Sequence, residues 1–145
     1  MSWTAARPYF NAILETLEYR EWPDAFATDN IPDTVLDKSF HVGIGPIAGT
    51  KQNHLDQETE MQVVLRTYFK GYRNPQEALD TAIAETETVV KEAIKVSDVG
   101  GRLSTAGILN VVFNEAAFDP IDASNDNAVV VTSSYTVRII VGVNE

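Results

Sequence analysis

The residues best suited to chemistry in this sequence are two histidines and a group of acids towards the C-terminus. His41 and His54 are the only histidines, and their spacing matches neither an HxH nor an HExxH zinc site. Asp119, Asp122 and Asp126 form the best set of oxygen ligands, but they lack the central glycine and the closing glutamate of an EF-hand loop. We therefore expect a turn with side-chain caps and no metal site here, with Ca²⁺ binding as the alternative.

Motifs for nucleophilic or phosphate chemistry are missing from the sequence. It contains no cysteine, no GxSxG, no Walker loop and no GxGxxG that opens a helix. The stretch GIGPIAG at residues 43–49 superficially resembles a phosphate-binding loop, but Pro46 interrupts it, it lacks the lysine and no helix pattern follows. The sequence therefore nominates no catalytic residue and no cofactor.

Charge and composition indicate one acidic domain. The 145 residues carry 11 basic and 21 acidic side chains, which gives a net charge of −10. This charge argues against a surface that grips nucleic acid, because such surfaces need clustered lysine and arginine. Neither a signal-peptide pattern nor an apolar run of about 18 residues is present, so we expect a cytoplasmic origin and no membrane partner. The length suits a single domain over residues 1–145.

Residues 74–96 have the strongest secondary-structure signature in the chain. Asn74 is a favoured helix N-cap, and Pro75 fits the first helical position. Apolar residues then recur at spacings of three and four, which predicts one buried face. Glu87 and Lys91 have the spacing of an ion pair within a helix. We predict a helix over residues 74–96 that covers a small sheet.

A second helix and four strands complete the pattern. Residues 4–19 carry an apolar stripe, and Pro8 places the start of the regular helix near Arg7. Alternation of apolar and polar side chains predicts the strands. They cover residues 38–45, 59–70, 108–113 and 128–143. We predict an α+β fold with a mainly antiparallel four-stranded sheet and two helices packed on one face.

Three connections in this arrangement have distinctive sequences. Residues 18–37 contain Pro23 and Pro32 among apolar side chains, which predicts an ordered loop held down by its aromatics. Residues 46–58 are predicted to form an extended polar loop, either a binding loop or a mobile surface hairpin loop, and residues 119–127 to form the acidic tip of a hairpin. Loops of this kind often carry binding functions.

The predicted sheet has apolar residues on both faces. In the strand at residues 38–45, alternation places Ile44 on the buried face and His41 on the polar one. The outer face is only partly polar, and its apolar residues are Val64, Tyr68, Val130 and Ile140. An exposed face with these residues would adhere to other proteins. We therefore predict a subunit interface on the outer face of the sheet.

The order of elements and several local stretches resemble the tail terminator, or tail completion, proteins of long-tailed bacteriophages. The resemblance covers nearly the whole chain, from the N-terminal helix to the final hairpin. The stretches that carry it are ARPYFNAILETL, DKSFHVGIG, TYFKGY, NPQEALDTA and SYTVRIIV.

This resemblance implies a structural protein of the virion. Proteins of that family have a small mixed sheet with helices on one side, and they assemble as a hexameric ring on the head-proximal end of the tail tube. The ring stops tube polymerisation and presents the surface on which the filled head docks. The implied partners are further copies of the chain, the tail tube protein and a neck or head-completion protein, while DNA passes through without specific binding. The implied location is the head-proximal end of the virion tail, after assembly in the host cytoplasm.

The resemblance also assigns expected roles to particular residues. The loops at residues 46–58 and 119–127 would contact neighbouring rings, while Trp22, Phe26 and the outer sheet face would seal one subunit against the next. Three arginines would form ion pairs between subunits. The full set of candidate interface residues is Trp22, Phe26, Ile47, Lys51, His54, Leu55, Arg66, Arg73, Asp119, Asp122, Asp126 and Arg138.

Two other functions remain compatible with the sequence. A head–tail connector in the virion neck uses similar small domains and the same kind of ring interface. A calcium-binding or enzymatic α+β domain would instead depend on the acidic hairpin at residues 119–127.

Overall fold

The computed structural model describes residues 3–22, 37–52, 56–95, 108–123 and 126–142. A 3₁₀ turn at Trp3–Ala5 precedes the first helix. Along the chain, the second helix separates the first three strands from the last two. The elements are α1 (Ala6–Thr16), β1 (Arg20–Glu21), β2 (Ser39–Gln52), β3 (Asp56–Tyr72), α2 (Pro75–Ala93), β4 (Ile108–Ala123) and β5 (Asp126–Gly142).

The strands form one sheet in the order β1-β2-β3-β5-β4. The four long strands are antiparallel to their neighbours, while β1 is parallel to β2. The predicted α+β class is confirmed, but the sheet is five-stranded and mixed, not four-stranded and antiparallel. The extra strand has only two residues, which is too short for alternation to reveal it.

Two turns with positive φ bring β1 to the sheet. Glu18 has a φ of 67° and Lys38 a φ of 58°. The amide of Arg20 then donates to the carbonyl of Lys38 at 2.9 Å, and the amide of Trp22 donates to the carbonyl of Phe40 at 2.8 Å. The start of the predicted loop at residues 18–37 is therefore partly a strand, and its residues 23–36 lie outside the described part of the chain.

Both predicted loops between strands are instead mostly paired backbone. β2 continues past Gly45 to Gln52, and β3 begins at Asp56, so residues 46–52 and 56–58 form the arm of a hairpin. The register shifts between Ile44 and Ile47 let the strand pass Pro46, which has no amide to donate. Likewise β4 and β5 pair up to Ala123 and from Asp126, within the predicted tip at residues 119–127. The sequence analysis missed both strand extensions because their side chains are mostly polar. Backbone pairing does not require the alternation of apolar and polar residues from which strands were predicted.

Helix α2 forms where the sequence predicts it. The Asn74 side chain accepts a hydrogen bond from the amide of Glu77 at 2.7 Å, which satisfies one of the free donors at the helix start. Lys91 Nζ lies 3.0 Å from Glu87 Oε1, so the predicted ion pair is confirmed. The regular helix ends at Ala93 and not at Val96.

Helix α1 follows its 3₁₀ turn as a short amphipathic helix. Pro8 lies in its first turn, as expected of a residue that has no amide hydrogen. Tyr9, Phe10, Ile13 and Leu14 are buried. The Tyr9 hydroxyl donates to the carbonyl of Ala93 at 2.8 Å. This bond holds the N-terminal part of α1 against the C-terminus of α2.

The hydrophobic core lies between the two helices and one face of the sheet. Phe10 is fully buried, with its ring 5.0 Å from that of Tyr135 and 5.4 Å from that of Tyr9. The predicted inward faces of the two central strands are confirmed. Their buried residues are Met61, Val63, Leu65, Thr67, Phe69, Val129, Val131, Ser133, Tyr135, Val137 and Ile139. The prediction for Ile44 is wrong: it lies on this face but is 48% exposed, because the helices do not cover this part of β2.

Candidate assembly interface

The outer face of the sheet is partly covered within the chain. Tyr68 is fully buried together with Ala128 and Val130, and Trp22 and Ile121 pack against them. Trp22 reaches this position because the β1 segment carries it beside β2. The prediction that Tyr68 and Val130 form an open subunit interface is therefore wrong. Alternation identified the face but not what covers it.

The middle of the outer face is a polar hydrogen-bonded network. Asn114 Nδ2 donates to Gln62 Oε1 at 3.2 Å and to Thr136 Oγ1 at 3.0 Å. Gln62 Nε2 lies 3.2 Å from the same threonine oxygen. These three side chains join β3, β5 and β4 across the face. Their polar atoms bond to one another within the chain, while Val112, the register partner of Thr136, is 46% exposed.

The basic candidate residues lie in different places on the sheet. The Arg138 guanidinium pairs with Glu58 on the neighbouring strand, within the chain. Arg66 lies between His41 and Thr132 in the pairing register. Arg73 is exposed between β3 and α2, and Lys51 is exposed near the end of β2. Lys51 is the register partner of Glu58, the residue with which Arg138 pairs, whereas Arg66 and Arg73 lie elsewhere in the structure.

The remaining candidates divide between described and undescribed residues. Ile47 is exposed on the helix-side face of β2, and Asp119 is exposed on β4 opposite Val130. Asp122 and Asp126 belong to the ends of β4 and β5, where their backbones are paired. Phe26, His54 and Leu55 lie outside the described residues.

Among the described residues, no three His, Asp or Glu side chains are grouped so as to hold a metal ion. No described helix is long and apolar enough to cross a membrane.

One surface feature was missed by the sequence analysis: an apolar groove between α2 and the edge strand β4. Its volume is about 370 Å³, and Ile83 on its rim is 45% exposed. Phe113 and Phe118 form its floor on the β4 side. The complete lining is Ile83, Thr86, Glu87, Val90, Lys91, Phe113, Ala116 and Phe118. The sequence feature that could have indicated this groove is the pair of phenylalanines, Phe113 and Phe118, on one strand at the sheet edge.

The two edges of the sheet are open over most of their length and differ in charge. Among the described residues, β4 pairs only with β5, and β2 has an outer neighbour only at Ser39 and Phe40. β2 contains no acidic residue and carries Lys51, whereas β4 contains three acids and no basic residue. Exposed apolar residues lie on both strands, namely Ile44 and Ile47 on β2 and Leu109 and Val112 on β4.

A half-buried cluster ties α2 to the corner between β1 and β2. The Tyr19 hydroxyl donates to Glu85 Oε2 at 3.0 Å, and Lys38 Nζ lies 3.7 Å from the same oxygen. Lys38 also lies 4.7 Å from the centre of the Tyr19 ring. Burial raises the pKa of Tyr19 well above its usual range, and the charge of Glu85 raises it further. This arrangement stabilises the corner through a neutral tyrosine and an ion pair.

Three raised tyrosine pKa values predict loss of stability at alkaline pH. Burial is the main cause of the raised pKa at Tyr19, Tyr72 and Tyr135. The folded state favours the protonated phenol, so this stabilisation is complete below the unfolded pKa of about 10 and is lost as the pH rises above it. We expect the thermal midpoint to fall above about pH 10, and to fall less steeply in Tyr19→Phe.

Ultraviolet titration of tyrosinate in the folded protein checks this expectation. At least three of the five tyrosines should ionise only above their ordinary pKa or on unfolding. Ionisation of all five together at the ordinary pKa of 10.0, without loss of structure, would contradict it.

The described residues define a two-layer α+β domain with an apolar groove and two open sheet edges of unlike charge. No protein-family model matches the chain, and the search of curated proteins found no match.

Proposed function

We propose that this protein is a structural subunit of a phage virion. Copies of the chain form a ring on the head-proximal end of the tail tube, end tube polymerisation and provide the surface on which the head docks. The single observation that carries the proposal is the pair of edge strands of unlike charge on opposite sides of the sheet, which among the described residues have no outer neighbour beyond β1 at Ser39 and Phe40. The sequence resemblance to tail terminator proteins supports the same reading.

Unlike edges favour a ring over a simple dimer. A surface that contacts a different surface on the next copy makes a head-to-tail interface, which closes into a ring when the rotation between copies is suitable. β4 carries only acids, so two β4 edges repel each other, whereas β4 and β2 attract. Long open edges also need a cover, because their unpaired backbone groups otherwise recruit other strands.

The acidic charge suits a ring through which DNA passes. At a net charge of −10 per chain, the protein repels the phosphate backbone overall, so DNA is not retained by specific binding. The partners in this proposal are the chain itself, the tail tube protein and a neck or head-completion protein. No catalytic residue, metal or cofactor takes part.

Binding to isolated tail tubes tests this function. Purified protein added to tube protein during polymerisation should shorten the tubes and bind at one end, at a fixed number of copies per tube. The same protein should not bind isolated portal rings. Binding to portal rings and not to tubes would reject the terminator function and assign the protein to the neck.

A further inference from the structure

We infer that the β2 edge of one copy pairs antiparallel with the β4 edge of the next copy, which seats Ile44 against the groove between α2 and β4 and Ile47 beside Val111. The inference rests on the proposed self-assembly and specifies which residues form the contact. The subunit contact then lies at the two sheet edges and not on the outer sheet face, where the sequence predicted it. Part of that face is buried around Tyr68.

Strand direction makes this pairing possible. β2 is antiparallel to β3, β3 to β5, and β5 to β4, so the two long edge strands run in opposite directions. A second copy, rotated about an axis that runs along the strands, presents its β2 beside β4 of the first. The two strands are then antiparallel, and each can pair with the outer edge of the other, where the described residues provide a strand partner only at Ser39 and Phe40.

The strand register places the exposed isoleucines of β2 beside apolar residues of β4. Across the sheet, Ile44 shares a row with Val63, Tyr135 and Phe113. A copy docked without a shift along the strands therefore places its Ile44 beside Phe113 of its neighbour.

Ile47 follows the same rule one row further along. It shares a row with Met61, Val137 and Val111, so it falls beside Val111 of the neighbour. Both isoleucines lie on the face that carries the helices, where α2 contributes the exposed Ile83 to the groove. One unshifted register thus covers apolar residues on both copies, which is the arrangement expected of a specific contact.

Charge on the outer face agrees with this register. His41 shares a row with Arg66, Thr132 and Ala117. In the docked pair it lies beside Ala117 of the neighbour, between the exposed acids Glu115 and Asp119. A basic or neutral edge therefore meets an acidic one. A one-residue slip would instead turn Ile44 and Ile47 to the polar face.

The short strand β1 limits the length of the contact. It occupies the β2 edge at Ser39 and Phe40, so pairing extends over residues 41–49 of β2 and 108–117 of β4. Residues 118–123 of β4 stay outside this contact.

Disulfide trapping tests the register, because the natural chain has no cysteine. Ala48 and Asn110 share a row through Glu60 and Arg138, so the unshifted register places them opposite each other. Directly opposed residues of antiparallel strands lie about 4.5–5.5 Å apart at Cα, within disulfide range. Ala48→Cys combined with Asn110→Cys should give, under mild oxidation, a covalent ladder up to the full ring.

Matched variants separate this contact from other modes of assembly. In Ala48→Cys with Ala117→Cys, the second cysteine lies six residues along β5 from the row of Asn110, because Asn110 pairs with Arg138 and Ala117 with Thr132. This displacement is roughly 20 Å, so the pair should give no ladder. Each single variant alone should give no cross-link, and a mixture of Ala48→Cys and Asn110→Cys should give a covalent dimer. Dimers from one single variant alone would show that like edges meet and would overturn the inference.

The mass of the same samples separates failure of the inference from failure of the proposed function. Rings of normal mass without the expected ladder would overturn the edge pairing and leave the proposed ring in place. A monomer with no cross-link, with or without tail-tube protein, would overturn both. A ladder only in the predicted pair supports both.

Discussion

Ile44→Glu is expected to give a folded monomer that no longer forms rings. The Ile44 side chain is 48% exposed in the single chain, so the substitution removes little of the core. In the docked pair the glutamate is placed beside the neighbour's Phe113, in an apolar groove whose one lining cation, Lys91, is already paired with Glu87 at 3.0 Å. Burial of an unpaired charge should weaken each subunit contact at least ~100-fold, or about 2.7 kcal/mol. Light scattering measures the loss of the ring, and circular dichroism shows whether the fold is retained.

Thr88→Glu is the matched control for this substitution. Thr88 is exposed on α2, its hydroxyl bonds only to the carbonyl of Ala84 in its own helix, and it lies outside the groove. The control adds the same charge and should assemble as the natural chain does. Normal rings from Ile44→Glu would show that the β2 edge is not a subunit contact.

Phe10→Ala is expected to have the largest effect on folding. Phe10 is fully buried and contacts the rings of Tyr9 and Tyr135, so it connects α1 to the central strand β5. Truncation leaves a cavity that the sheet and helices refill only in part. The free energy of unfolding should fall by about 3–5 kcal/mol, a large part of the stability of a domain of this size. Urea unfolding followed by tyrosine fluorescence and circular dichroism measures the change.

Glu15→Ala provides the control on the same helix. Glu15 is exposed, so its removal should change the free energy of unfolding by no more than about 0.5 kcal/mol. A loss below about 1 kcal/mol for Phe10→Ala would mean that α1 does not pack on the sheet as described.

Local signals in the sequence predicted the helices and the central strands. Asn74 and Pro75 specify the start of α2 by their own chemistry, and the structure begins the helix there. Met61 to Phe69 alternate because one face of β3 is buried, and the same holds for β5. These features depend on neighbours in sequence, so a single chain reveals them.

Features that depend on distant parts of the chain escaped prediction. Ile44 has the alternation of a core residue, but no local pattern shows that the helices stop short of it. Tyr68 looks like a surface residue until Trp22 is placed beside β2 by two turns with positive φ. β1 has two residues, and its pairing depends entirely on those turns.

The candidate interface illustrates the same limit. Sequence reasoning placed it on loops at residues 46–58 and 119–127, because polar stretches resemble loops. In the structure both stretches are mostly paired strand, and the open surfaces are the outer edges of β2 and β4. An edge is defined by which strand is absent beside it, and this depends on the order of strands in the sheet, not on local composition.

Assembly of this chain into a ring is tested most directly by the mass of the purified protein in solution. Light scattering behind size exclusion, at several concentrations and with and without tail-tube protein, distinguishes a ring from single chains. We expect a ring of about six copies of the 16.0 kDa chain, roughly 96 kDa, either alone or bound to the tube. A species of 16.0 kDa at every concentration that ignores the tube would contradict it.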